Sequence, residues 1–123
     1  MQQYQIVIIR PQGYVHSEAF SEIAETLVYA LRKMSKTVTL DENNLNKNAV
    51  NIILGANLIK EEDVPNIPPN AIIYNFEQLT KSSSWMTSGF IKILKSFEVW
   101  DYSKNNIEYL KINSINKNPK FVP

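Results

Sequence analysis

The amino-acid sequence predicts an α/β fold: an open, mainly parallel sheet of about five to six strands with helices on both faces. Three observations lead there. Short apolar runs rich in β-branched residues, such as Gln5-Ile6-Val7-Ile8-Ile9-Arg10, lack polar alternation, the mark of a strand buried on both faces. Between such runs, apolar residues recur at three- and four-residue steps, the mark of an amphipathic helix. The two patterns alternate along the chain, which argues for parallel strands joined by right-handed crossovers.

Taken in order, the first strand runs from Gln5 to Arg10 and is ended by the turn residues Pro11-Gln12-Gly13. Ser17 is placed to cap a helix of about five turns, with Glu18 and Glu22 at the positive end of its dipole. Phe20, Ile23, Ala24, Leu27, Leu31 and Met34 form its apolar face, and Arg32, Lys33 and Lys36 suit its carboxyl end. Thr37 to Leu40 reads as a second strand, followed by an asparagine-rich loop over 41–48. The abundance of asparagine is read as compositional bias and given no function. Val50 to Leu54 is a third strand, closed by Gly55, and residues 56–64 hold one short helical turn. Pro65, Pro68 and Pro69 impose an extended connection before a fourth strand from Ala71 to Phe76. The cluster Ser82-Ser83-Ser84 marks the start of a second helix carrying Phe90, Ile93, Leu94 and Phe97, weakened by Gly89. Glu98 to Tyr102 is a fifth strand, Ser103 caps a helix over 104–112, and Lys120 to Val122 is a sixth strand.

The 123 residues fit one domain, residues 1–123. Thirteen basic and twelve acidic residues give a charge of +1, which provides no field for nucleic acid or an anionic membrane. There is no cysteine and one histidine, His16, so thiol chemistry and multi-histidine metal sites are excluded. No apolar run approaches the roughly 18–20 residues of a membrane span, and the amino terminus lacks signal-peptide character. A cytoplasmic domain is expected. The chain ends directly after a strand-like run, which suggests the front half of a longer, two-domain protein; the alternative is a natural domain with a final edge strand.

Ligands of open parallel sheets collect beyond the carboxyl ends of the strands. That region lacks G-x-G-x-x-G, the P-loop pattern and the G-x-S-x-G elbow. Three segments remain. In the first, Gly13 permits close backbone approach, and Tyr14, His16 and Ser17 precede a helix whose free amides suit an anion. His16 is either a base or ligand donor there, or a residue that caps the helix. In the second, Asn75, Glu77 and Gln78 end an apolar strand in polar side chains; Glu77 is either a general base or a surface group. In the third, Trp100 and Asp101 combine a ring with a carboxylate, suited to a sugar, or else belong to the core and a helix cap.

Four ordered blocks carry a resemblance. They are Arg10-Pro11-x-Gly13-Tyr14-x-His16-Ser17-x-Ala19-Phe20-x-Glu22, then Asn51-Ile52-x-x-Gly55-Ala56, then Ile72-x-Tyr74-Asn75-x-Glu77-Gln78, and Val99-Trp100-Asp101-Tyr102-Ser103-x-x-Asn106. Together they resemble bacterial glycosyltransferase-like proteins of the GT-B type, in particular their amino-terminal Rossmann-like half. The resemblance covers about residues 4–123. It departs at Asn57, where such relatives often carry histidine. It implies an acceptor-side domain for transfer of a sugar from a nucleotide-sugar to a hydroxyl, inactive alone, with the nucleotide-sugar held by a missing second domain. Gly13, His16, Asn75, Glu77 and Asp101 would line the cleft, with His16 or Glu77 as base, and no metal or other cofactor is implied. Trp85, Phe97 or Phe121 would belong to a docking patch, and a homodimer through an exposed apolar face is another expected assembly. The competing reading is a non-catalytic, flavodoxin-like ligand-binding or protein-interaction module.

Overall fold

The computed structural model describes residues 2–11 and 20–123. Its elements are β1 (Gln3–Ile8), α1 (Phe20–Lys33), β2 (Thr37–Glu42), β3 (Val50–Leu54), β4 (Ile72–Asn75), α2 (Ser88–Ser96), β5 (Glu98–Asp101), α3 (Lys104–Ile112) and β6 (Lys120–Phe121). Two 3-10 turns, Ala56–Leu58 and Glu61–Asn66, join β3 to β4. Among the described residues the six strands form one sheet in the order β2-β1-β3-β4-β5-β6, and every pairing is parallel. This is the open, Rossmann-like α/β sheet the sequence predicts. The chain steps one way from β1 to β2 and the other way from β3 to β6, so the direction reverses between β1 and β3.

The apolar strands are double-sided because side chains alternate across the sheet. Ile6, Ile8, Ile52 and Leu54 face α1 and meet Phe20, Ile23, Ala24 and Leu27. Val7, Ile53, Ile73 and Val99 face the other way and meet Phe90, Ile93 and Leu94 of α2 and Leu110 of α3. The result is three layers with a core on each side of the sheet. Coverage is unequal. α1 packs on β1 and β2, while the β4–β5 part of the same face is covered by Tyr74, Phe76 and Trp100.

Several boundaries move for identifiable reasons. β1 begins at Gln3 and ends at Ile8, short of Arg10, yet Ile9 N still donates to Leu54 O (3.0 Å). At Arg10 the Asn43 side chain takes over the ladder, accepting from Arg10 N (2.6 Å) and donating to Arg10 O (2.9 Å). β2 continues through the expected loop residues Asp41 and Glu42, because an edge strand with only Val38 buried needs no apolar run. α2 starts at Ser88 rather than at the serine cluster; Thr87 is its cap, its hydroxyl accepting from Phe90 N. Ser82 and Ser84 lie instead in turns. α3 covers the expected 104–112, and Ser103 caps it by accepting from Asn106 N.

The asparagine-rich β2–β3 connection is pinned by buried Asn51, which donates to Asn46 O (2.8 Å) and accepts from Asn46 N (2.9 Å). At the end of β3, Gly55 adopts φ +85°, and an added Cβ would meet Phe20 Cε2 at 3.1 Å and Ile9 O at 3.3 Å. Both the left-handed backbone and the lack of space demand glycine. Gly55→Ala is expected to lower unfolding free energy by about 2 kcal/mol or more in urea titration. A loss under about 0.5 kcal/mol, the range of a neutral surface change, contradicts this packing.

Candidate functional site

Asn75 ends β4 and Asp101 ends β5, and the sheet register sets them side by side. Each is a polar residue where a buried strand reaches its carboxyl end. Asn75 Nδ2 donates to Asp101 Oδ2 (2.8 Å). Asp101 Oδ1 accepts from Asn106 Nδ2 (2.9 Å) and from Ser103 N (2.9 Å). Ser103 caps α3, which brings Asn106 back over the strand ends in the first turn of the helix. Asp101, Asn75 and Asn106 are 0%, 4% and 3% exposed. They form a buried polar triad in which the acceptors and donors satisfy one another.

The triad also grips the following loop. Glu77 O accepts from both Asn75 Nδ2 and Asn106 Nδ2, each at 2.9 Å. Glu77 N donates to Asn75 Oδ1 (3.1 Å), and Leu79 N to Asn106 Oδ1 (3.0 Å). The backbone of residues 77–79 is therefore fixed by side chains rather than by secondary structure. Burial pushes the Asp101 carboxyl above its ordinary range, while its donors from Asn75, Ser103, Asn106 and the Tyr102 backbone oppose the rise. Because Asn75 Nδ2, Ser103 N and Asn106 Nδ2 all donate to its two oxygens, this arrangement fits the acceptor-only, ionised form.

Glu77 shares with Asp101 a pKa raised by burial but not its hydrogen-bonded surroundings. It is half-buried, and its carboxylate makes no hydrogen bond or ion pair among the described residues. Burial alone holds its pKa above the ordinary carboxylate range. Beside it in sequence, Phe76 stacks on Tyr102 (5.6 Å between centroids, 19° between planes) and lies 4.4 Å from the Tyr74 ring. Trp100 meets Tyr74 edge-on at 5.7 Å. Tyr102 is 43% exposed, so this aromatic group runs from the core to solvent.

Of the residues expected at the site, Asn75 and Asp101 are brought together, but their polar groups face one another and Asn106. Glu77 is half-buried and follows Phe76 in sequence, and Gln78 is exposed. Trp100 is half-buried in the α1-side packing, and its indole N–H donates to Glu98 (2.7 Å). Gly13, Tyr14, His16 and Ser17 lie outside the described residues. Of the expected docking residues, Phe97 packs on the core, Trp85 is half-buried, and Phe121 is exposed beneath the Lys104 ammonium. Sequence reasoning gave no site role to Phe76, or to Asn106, which entered only as part of the resemblance. Asparagine three residues after a serine cap stands where a capping glutamate or glutamine is usual, and that substitution was the available signal.

Among the described residues, no three histidine, aspartate or glutamate side chains gather into a metal-binding group, and no helix is long and apolar enough to cross a membrane. No protein-family model, curated protein or solved structure matches the chain.

The two carboxylates are expected to respond oppositely to amide substitution. Asp101→Asn sets an N–H2 against the donors of Asn75 or of Ser103 and Asn106, and is expected to cost about 2–3 kcal/mol. Glu77→Gln leaves the thermal midpoint at pH 7 unchanged or raised. The sign follows from linkage: with a raised folded-state pKa, the stability contributed by Glu77 is present below its unfolded pKa and lost as pH rises through the folded value. Midpoints of the two variants across pH 4 to 8 check both statements; equal losses for both contradict them.

Proposed function

We propose that the chain is the acceptor side of a sugar-transferring enzyme of the GT-B kind, with Glu77 as the base that deprotonates an acceptor hydroxyl. The observation that carries this reading is the Glu77 carboxylate: half-buried, raised in pKa, without a described protein partner, and set on a loop held rigid by the buried triad. A base is effective when its pKa lies near working pH and its position is fixed. The stacked Phe76 and Tyr102 rings supply an apolar surface of the kind a sugar ring packs against.

In the proposed reaction, a nucleotide-sugar enters through a second domain. The acceptor oxygen attacks the anomeric carbon, its proton passes to Glu77, and the bond to the nucleotide diphosphate breaks. His16 is the second candidate base. Asn75 and Asp101 then act as positioning residues rather than as ligands: Asn75, with Asn106, donates to the Glu77 carbonyl, and Asp101 orients both amides by accepting from them.

The test is titration of the 123-residue chain with a panel of methyl glycosides, followed by NMR. Shifts are expected at Phe76, Glu77 and Tyr102, with Phe76→Ala weakening binding severalfold and Glu77→Gln leaving it nearly unchanged. In the chain joined to its second domain, Glu77→Gln is expected to slow transfer by about 10²–10⁴-fold. The acidic limb of the rate profile, set above the ordinary carboxylate range, is lost with it. Absence of shifts with every glycoside, or shifts centred away from these residues, overturns the reading and favours a non-catalytic interaction module.

A further inference from the structure

The two edges of the sheet differ. β6 is two residues long, whereas β2 is six and pairs on one side only, with β1. Edge strands are ordinarily blunted by proline, by a bulge or by a charge at mid-strand. β2 runs in unbroken register along β1, and its first four residues are Thr37-Val38-Thr39-Leu40. Charges stand only at its ends, Lys36 before it and Asp41 and Glu42 closing it. Leu40 is 47% exposed. With Val28 and the 63%-exposed Tyr29 of α1 it lines an open groove of ≈ 700 Å³, rimmed by Glu25, Arg32 and Lys33. The backbone edge is open as well. Asn43 N donates to Ile8 O on β1, and the bonds of a parallel ladder alternate along the strand, so the amides and carbonyls of Val38 and Leu40 point away from β1.

The pattern of β2 identifies what covers it. Laid antiparallel to a second copy about a twofold axis at Thr39, the strand is complementary to itself. Residues opposite one another in an antiparallel pair share a face of the sheet. Val38 then meets the partner's Leu40, both on the α1 face, and Lys36 meets the partner's Glu42, a cation against an anion. Val38 and Leu40 are also the residues whose backbone groups point outward, so each such pair exchanges both of its N–H···O bonds. Thr39 faces the partner's Thr39 at a non-hydrogen-bonded position. Other centres lose this match: about Val38, Lys36 meets the partner's Leu40; about Leu40, Val38 meets the partner's Glu42. The helices agree with the strands. α1 sits over β1 and β2, so its copy lies two strand spacings away, roughly 10 Å, the distance at which helices pack. Tyr29 shares the groove with Leu40, and Glu25 and Lys33 lie one turn to either side of it, so the same axis sets Glu25 toward the partner's Lys33. We infer that the chain forms a twofold dimer by antiparallel β2–β2 pairing, which joins two sheets into one and closes the two grooves on each other. The symmetry uses each β2 edge once, so assembly stops at two copies. This edge lies across the sheet from β4 and β5, and the inference goes beyond the sugar-transfer reading and holds or fails independently of Glu77.

Sedimentation equilibrium of the 123-residue chain is expected to give twice the mass of one chain. Leu40→Lys sets an ammonium against the partner's Val38 and is expected to raise the dimer dissociation constant about tenfold or more. Its far-UV circular dichroism is expected to stay unchanged, because Leu40 lies outside both cores. The register has its own readout, since the chain contains no cysteine. Thr39→Cys places two thiols opposite one another at a Cα separation that a disulfide spans, and oxidised glutathione is expected to convert it to a covalent dimer. Thr37→Cys faces the partner's Asp41 instead and is expected to cross-link far more slowly. The two cysteine variants decide the register on folded protein whatever becomes of Leu40→Lys. A monomer at every concentration, a mass beyond two copies, a dimer that folded Leu40→Lys leaves equally tight, or Thr39→Cys cross-linking no faster than Thr37→Cys each overturns the assignment.

Discussion

The carboxylate of Asp101 is the constraint from which the rest of this end of the molecule follows. A charge removed from water needs donors on its oxygens, and here they come from β4 through Asn75 and from the start of α3 through Ser103 and Asn106. Meeting that need aligns the two strand ends, sets the entry of α3, and leaves the outward amides of Asn75 and Asn106 to close on Glu77 O. A loop with no regular structure thereby acquires a fixed backbone. The same arrangement separates two kinds of carboxylate one strand apart: Asp101, consumed by the fold, and Glu77, unengaged among the described groups.

The topology explains why aromatic residues accumulate beside this loop. α1 packs over β1 and β2 on its face, whereas α2 and α3 belong to the opposite core. The β4–β5 region of the α1 face is left to large side chains, and Tyr74, Phe76 and Trp100 fill it while Tyr102 extends the group to the surface. The Tyr74 hydroxyl fastens this group to the chain beyond β6 by donating to Val122 O. A group of rings reaching from the core to the surface is thus a consequence of where the described crossovers lie.

Much of the fold was legible because it rests on local chemistry. Double-sided strands show as unbroken apolar runs, and Ser103 as a cap fixed both the start and the face of α3. What escaped was pairing between distant residues. Asn43 extends β1 by bonding Arg10 across 33 positions, and Asn106 reaches Leu79 across 27. Asparagine looks like loop material in sequence, so residues that pin loops resembled compositional bias. The start of α2 was misplaced for a similar reason: a serine cluster and Thr87 both have capping chemistry, and tertiary packing of Phe90 chose between them. At the site, the sequence marked Asn75, Glu77 and Asp101 together, but which of them faces inward depends on Asn106, whose partners are set only in three dimensions.

The most direct test of this account is amide hydrogen exchange at Glu77, Leu79 and Ser103. These amides lie outside helices and strands, and each donates to a side chain of the triad. If the buried network holds the loop, they exchange as slowly as the amides of β4 and β5, and open with the same free energy. Exchange at the rate of an unprotected loop would contradict the account, because the buried network would then not fix the backbone of residues 77–79.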